Sequence, residues 1–218
     1  MSIINCATVF ILVVVCSGLA GAGTIKEPMK EYTVAMLSPK VETPSSTDKI
    51  TSHVTEHYEY YKVAGNTEQE LRRQMSRNGT KWNDGKTYDA LTTWDITWDY
   101  TYNTTEEGCS VASFTTDVDI IFRLPKFESA GAPPALSSKW DNYMTNLVIH
   151  ENGHRDLALK AAAELNRAVA ELGPTSNPSE LDRKIRALGK EKMAAMKNIQ
   201  VDYDHSTGHG KTQGAVFP

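Results

Sequence analysis

From Trp140 to Leu172, apolar side chains recur at helical spacing: Trp140, Tyr143, Met144, Leu147, then Leu157, Ala158, Ala161, Leu165, Val169 and Leu172. Gly173-Pro174 ends the pattern. A stripe sustained this long specifies one amphipathic helix of about nine turns that must bury a face. Two histidines interrupt it. Positions 150 and 154 continue the line that runs from 147 to 157, so two imidazoles point inward, where polar groups need partners. Ser138-x-x-Asp141, after the Ala130-Gly131-Ala132-Pro133-Pro134 link, resembles a capping box that would open this helix.

A second periodicity precedes it. Trp94, Ile96, Trp98, Tyr100 and Tyr102 alternate with Asp95, Thr97, Asp99 and Thr101, and Phe114 to Leu124 repeats the alternation until Pro125. Side chains two apart share a sheet face, so these segments predict two strands joined as a long antiparallel hairpin around Glu106-Glu107-Gly108. The aromatic stripe reads as a core face. Upstream, Val54 to Val63 suits a strand, and Thr67-x-x-Glu70 is a capping box for a short helix to about Arg77, with turns at Asn78-Gly79 and Asn83-Asp84-Gly85. Downstream, Asn177-Pro178-x-Glu180 opens a second helix with Leu181, Ile185, Leu188, Met196 and Ile199 as its apolar face. The Gly-bearing residues from Val201 onward read as a loop. The expected class is α+β, an antiparallel sheet packed on the long helix, with the second helix returning the tail toward it.

The ends and the charge set the context. Residues 1–22 carry no charged side chain and hold an apolar run, Val9 to Cys16, followed by Ala20-x-Ala22. That is the pattern of a cleaved secretory signal peptide, giving a mature chain from Gly23 in the periplasm or outside the cell. No basic residue precedes the run, which leaves an uncleaved anchor as the alternative; the branched Val15 disfavours lipidation of Cys16. Residues 23–50, rich in Pro, Ser, Thr and Lys, read as a loosely ordered segment, and residues 51–218 as the folded domain, with no stable membrane span after cleavage. A net charge of −4 with no Lys/Arg run excludes a nucleic-acid binder. The leader takes two of the three Cys, so Cys109 is left alone. Neither a disulfide framework nor a thiolate zinc site is then open to the mature chain.

Any metal therefore needs His and carboxylate ligands, and His150-Glu151-Asn152-Gly153-His154 supplies them as HExxH. Histidines four apart on a helix bind one Zn²⁺, while the intervening Glu stands beside the metal's water as a general base. The pattern points to a zincin-like metallopeptidase with Glu151 as base, acting on peptide or protein substrates. A third ligand must come from elsewhere. The six residues after His154 lack the histidine of the HExxHxxGxxH pattern. Glu180 or Glu191 would give a thermolysin-like set, and Tyr203-Asp204-His205-Ser206-Thr207-Gly208-His209-Gly210 offers His205 or His209. Asp204 is a fourth ligand or the acceptor of a ligating imidazole's free N–H. Tyr203 is an oxyanion donor or a packing residue. Gly153 costs about 1 kcal/mol in mid-helix, which close approach of another element would explain. His53 and His57 read as ordinary strand histidines. The competing reading is a non-catalytic envelope protein with a structural zinc.

HENGH followed about fifty residues later by YDHSTGHG and Gln213-Gly214-Ala215, with Thr93-Trp94-x-x-x-Trp98 and Leu124-Pro125 in the hairpin, resembles a bacterial family of predicted secreted zinc-dependent proteases, domain of unknown function 922. The resemblance covers about residues 55 to 217. Its YDxxTxHG pattern matches Tyr203, Asp204, Thr207, His209 and Gly210 and leaves His205 at a variable position, which implies His209 as the third ligand. Envelope proteins and peptidoglycan peptides are both open as substrate classes. The resemblance also implies a departure: many members of that family pair the cysteine matching Cys109 with another near the start of the second helix, where this chain has Asn177-Pro178-Ser179.

Overall fold

The computed structural model describes residues 49–128 and 131–218. The expected signal peptide and the expected loose segment up to residue 48 lie outside the described residues. Three strands make the main sheet: β1 (Ile50–Val63), β4 (Leu91–Thr105) and β5 (Gly108–Phe127), in the order β1-β5-β4. The predicted hairpin is β4–β5, antiparallel from Leu91↔Arg123 to Thr105↔Gly108. β1, however, runs parallel to β5, from Ile50↔Phe114 to Val63↔Phe127. The sheet is thus mixed rather than antiparallel. A period of two fixes which side chains share a face but not which way a strand runs. Between β1 and β4 the chain makes α1 (Glu68–Asn78) and a small hairpin of β2 (Thr80–Lys81) and β3 (Thr87–Tyr88), which leaves room for β5 to return between them.

β5 is accordingly the central strand and the most buried, with Phe114, Thr116, Val118, Ile120, Phe122 and Leu124 facing the core. It also outlasts the predicted stop at Pro125. β4 ends its pairing at Arg123, so the missing proline N–H lies past β4, while β1 continues alongside to Phe127.

The helices cover one face of the sheet. The long stripe is α2 (Pro134–Ala170), 37 residues and about 55 Å, burying Trp140, Tyr143, Leu147, His150, His154, Ala158, Leu165 and Val169. It begins at Pro134 rather than at the capping box expected at Ser138: Pro133 is the cap, without a side-chain bond, and Ser138 lies inside the helix. A proline at the first helical position is pre-set in φ and lacks an N–H that would go unpaired there anyway. The capping box at Thr67 and Glu70 forms as expected.

α3 (Pro178–Thr207) starts at its predicted cap, where Asn177 accepts from the Glu180 N–H at 2.9 Å. It does not stop near Val201. The helix runs on to Thr207 and ends in Gly208, whose left-handed backbone (φ 59°) closes it. The tail beyond is short and compact, with a 3₁₀ turn over Lys211–Gln213, and Phe217 tucks back against Trp140 and Tyr143. Cys109 is fully buried and is a free thiol. Its backbone bridges the loop before α3 at Thr175, with N–H···O distances of 2.7 and 2.8 Å in the two directions, so hydrogen bonds tie β5 to that loop.

α3 meets the sheet closely at Gly189, where a Cβ would overlap the Trp98 indole. Alanine normally gains about 1 kcal/mol over glycine in a helix interior. Here Gly189→Ala is expected to lose about 1–3 kcal/mol, because the Trp98 ring must shift within a packed core. Urea denaturation measures this, and a stabilised variant would contradict the packing.

Candidate metal centre

α2 buries His150, Glu151 and His154 to 4%, 4% and 9% exposure beneath the sheet. The two imidazoles stand 4.9 Å apart, nearly perpendicular. Against them, α3 presents Gln200, Tyr203, Asp204 and Thr207, spaced i, i+3, i+4, i+7 along one helix face. One atom organises the group. Asp204 Oδ1 lies 3.2 Å from His150 Nε2, 3.1 Å from His154 Nε2 and 3.4 Å from His209 Nδ1. His150, His154 and Asp204 each offer a ligand atom within 4.8 Å of the others, a group able to hold a metal ion. His209 stands at its rim, half exposed, with its ring 5.3 Å from that of Tyr88.

The outer hydrogen bonds decide what the group wants. The Gln200 amide nitrogen donates to the His154 carbonyl at 3.0 Å, so its Oε1 is the atom that meets His154 Nδ1. Gln213 Oε1 meets His150 Nδ1 at 2.9 Å, and its Nε2 donates to the Tyr203 hydroxyl at 3.1 Å. That hydroxyl gives its own proton to the His150 carbonyl at 3.2 Å. Amide oxygens only accept, so both rings carry a proton on Nδ1. In the neutral rings both Nε2 lone pairs then face a carboxylate oxygen. Electron-rich atoms at that separation require a cation between them, either a proton or a metal. Two fixed imidazole nitrogens and a carboxylate in a partly dry site are a donor set that Zn²⁺ fits.

The titration behaviour follows. Burial alone would lower the His154 pKa, but hydrogen bonds to Asp204 and Gln200 and the Glu151 charge outweigh it and raise it. Burial works to raise Asp204 as well, yet the hydrogen bonds from His150 and His154 and the nearby imidazole charges hold it well below the usual carboxylate range. Burial raises Glu151, against an opposing hydrogen bond of 2.6 Å from Thr92 Oγ1 to Glu151 Oε2 and the pull of the two imidazoles. The whole group opens on a cleft of about 1040 Å³, whose walls include Trp82, Tyr88, Trp94, Met193 and Phe217.

Gly153 finds its explanation here. A Cβ at that position would overlap the Tyr203 hydroxyl, so only glycine lets α3 bring Tyr203 over α2. The Tyr203 ring stacks on His150, with centroids 5.1 Å apart and planes 10° from parallel. Tyr203 therefore packs and orients, and its proton is already committed to a backbone carbonyl. Gly210, at φ 79°, has His150 Cγ and Cβ against the face where a side chain would project.

The other sequence candidates lie apart. His205 is exposed on the last turn of α3 and outside the group. Glu180 is held by Ser176 and Lys184 at the opposite end of α3, which lowers its pKa to about 2, and Glu191 is exposed beside Lys192. His53 pairs with Asp117 on the outer sheet face. Sequence reasoning missed Thr92 and Gln200. Thr92 sits at the inward parity of β4, two residues before Trp94, and Gln200 precedes Asp204 by one helical turn; both positions were readable, their partners were not.

Residues 58–210 match the family described as bacterial protein of unknown function (DUF922). The chain belongs to that family. No curated protein and no solved structure matches it. The DUF922 match runs from the middle of β1 to Gly210, so it contains every residue of the metal group and His209.

Two expectations follow for this DUF922 site. Gly153→Ala must expel Tyr203, and with it the contact that orients His150; zinc affinity, measured by chelator competition, should fall about 10–100-fold. Unchanged affinity would contradict the role of this contact. The second concerns pH. A histidine pKa raised above its usual 6.5 stabilises the metal-free fold fully below 6.5, and the contribution is lost as pH rises through the raised value. A metal displaces the same proton, so zinc affinity should climb about tenfold per pH unit from mildly acidic pH up to that pKa and then level off. An affinity independent of pH across that range would contradict it.

Proposed function

We propose that this chain is a secreted or periplasmic zinc-dependent metallopeptidase acting on peptides or proteins of the cell envelope. The observation that carries the reading is Glu151: a buried carboxyl between two imidazoles, held by Thr92, at the floor of a large cleft. A site that merely tied helices together would have no use for it.

His150 and His154 would hold the metal through Nε2, with His209 as the third imidazole donor brought by the turn after α3. When bound, Zn²⁺ supplies an acidified water and a polarised carbonyl. Glu151 then takes the proton of the attacking water and delivers it to the leaving amine. Its raised pKa suits that exchange, since a carboxyl that holds a proton more readily gives and takes it nearer neutral pH. Thr92 fixes one carboxyl oxygen, and Gln200 and Gln213 keep the imidazole lone pairs turned inward. Apolar and aromatic walls around Trp82, Trp94 and Phe217 fit side chains of a peptide.

A second reading has its own observation. Asp204 Oδ1 stands at the point on which the imidazole nitrogens converge, and as a fourth donor it would close the site into a structural one. Two sets of variants separate the readings. Glu151→Gln should keep its zinc and lose peptide hydrolysis by about 10²-fold or more across a diverse peptide library; equal background cleavage by wild type and variant supports the scaffold. His209→Ala should lose zinc on dialysis against a weak chelator, while His205→Ala and Asp204→Asn retain it. Zinc loss in both His209→Ala and Asp204→Asn supports Asp204 as the fourth donor of a closed site, and zinc loss in Asp204→Asn with retention in His209→Ala would make Asp204 the third ligand.

A further inference from the structure

β1 is an edge strand of 14 residues, with no neighbour on its outer side among the described residues. Its direction toward β5 fixes which groups are open. Phe114 N–H donates to Lys49 C=O and Glu128 N–H to Val63 C=O, so odd-numbered β1 residues turn their backbone toward β5. Even-numbered residues, from Ile50 to Lys62, turn theirs outward. The same even-numbered side chains lie on the helix-covered face, yet Val54, Tyr58 and Tyr60 are 47%, 45% and 44% exposed. An open edge and an apolar margin therefore coincide on one strand.

We infer that this edge is a dimer interface, on which β1 of a second copy pairs antiparallel about a twofold axis through Glu59. The sequence selects that register. Centring the pair on Glu59 sets Tyr58 opposite the partner's Tyr60, and Tyr60 opposite its Tyr58. Glu56 and Lys62 meet in the same way, twice. All four are even-numbered, so every one falls in a hydrogen-bonding position, as the backbone parity demands. Aromatic pairs and opposite charges are the cross-strand combinations that stabilise antiparallel ladders, and like charges opposite one another destabilise them. Shifting the axis to Tyr58 sets Glu56 against Tyr60 and Val54 against Lys62, which forfeits both charge pairs. Space is available too. Arg155 reaches Glu56 and Asn166 reaches Ser52, so α2 runs along the sheet inside β1, and the two symmetry-related helices would lie about three strand spacings, roughly 14 Å, apart. Packed helices approach to about 8–10 Å, so a trough remains for the four tyrosines. The result is a continuous six-stranded sheet in which neither β1 edge is left open.

Sedimentation of the purified protein over a concentration series tests this, with Glu56→Lys, Lys62→Glu and the double variant alongside. Wild type should show twice the monomer mass. Each single reversal sets like charges opposite each other twice per dimer and should weaken association about tenfold or more. The double variant restores opposite charges in the same register and should recover wild-type association, which also excludes misfolding, as it contains both changes. A wild type that stays monomeric at high concentration, whatever covers the edge, overturns the proposal. So does a dimer indifferent to the single reversals, or one that the double variant fails to restore.

Discussion

The constraint on which the site depends is electrostatic. Two imidazole lone pairs and a carboxylate oxygen are held within about hydrogen-bonding distance in a place largely closed to water, and such a group is stable only around a cation. The supporting residues serve this convergence. Gln200 and Gln213 settle which ring nitrogen faces inward, Tyr203 stacks on one ring, and Gly153 and Gly210 admit the elements that bring them. Removing any one loosens the geometry without touching a ligand, which is why the outer contacts carry as much of the site as the donors do.

The fold supplies rigidity in proportion. α2 crosses both hydrophobic clusters and carries the two histidines within the larger one, between Leu147 and Ala158, so their spacing is fixed by a helix that packs on the sheet on either side of the site. α3 is registered against β4 at Gly189–Trp98 and against α2, near the metal group, at Tyr203–Gly153. A polar node lines the same cleft, where Asp89 accepts from Arg72 and from the Tyr143 hydroxyl at 2.7 Å, and its carbonyl accepts from Tyr61 at 2.7 Å. Strand, helix and loop are thus tied together beside the chemistry.

Much of this was legible in the sequence because it rests on periodicity. The line 147, 150, 154, 157 put both histidines on the buried face of α2, and the alternations in β4 and β5 gave a hairpin with the right residues inward. Caps at Thr67 and Asn177 mark helices that begin where expected. What escaped had a different cause. Gln200, Tyr203, Asp204 and Thr207 form a helical stripe of polar residues, invisible to a search for apolar ones, so the end of α3 read as loop. The direction of β1 was also hidden, since alternation is the same in parallel and antiparallel strands. Convergence of Asp204 on three imidazoles depends on how α2 and α3 pack, which no local pattern encodes.

The central claim is that the inward-facing nitrogens of α2 bind a metal. X-ray absorption at the zinc edge of the protein loaded with one equivalent of Zn²⁺ tests it most directly. The expected result is a four-coordinate shell of nitrogen and oxygen donors near 2.0–2.1 Å with imidazole multiple scattering from at least two histidines, lost when His150 and His154 are both replaced by alanine. A shell of oxygen donors without imidazole scattering, or a spectrum unchanged in that double variant, would contradict it.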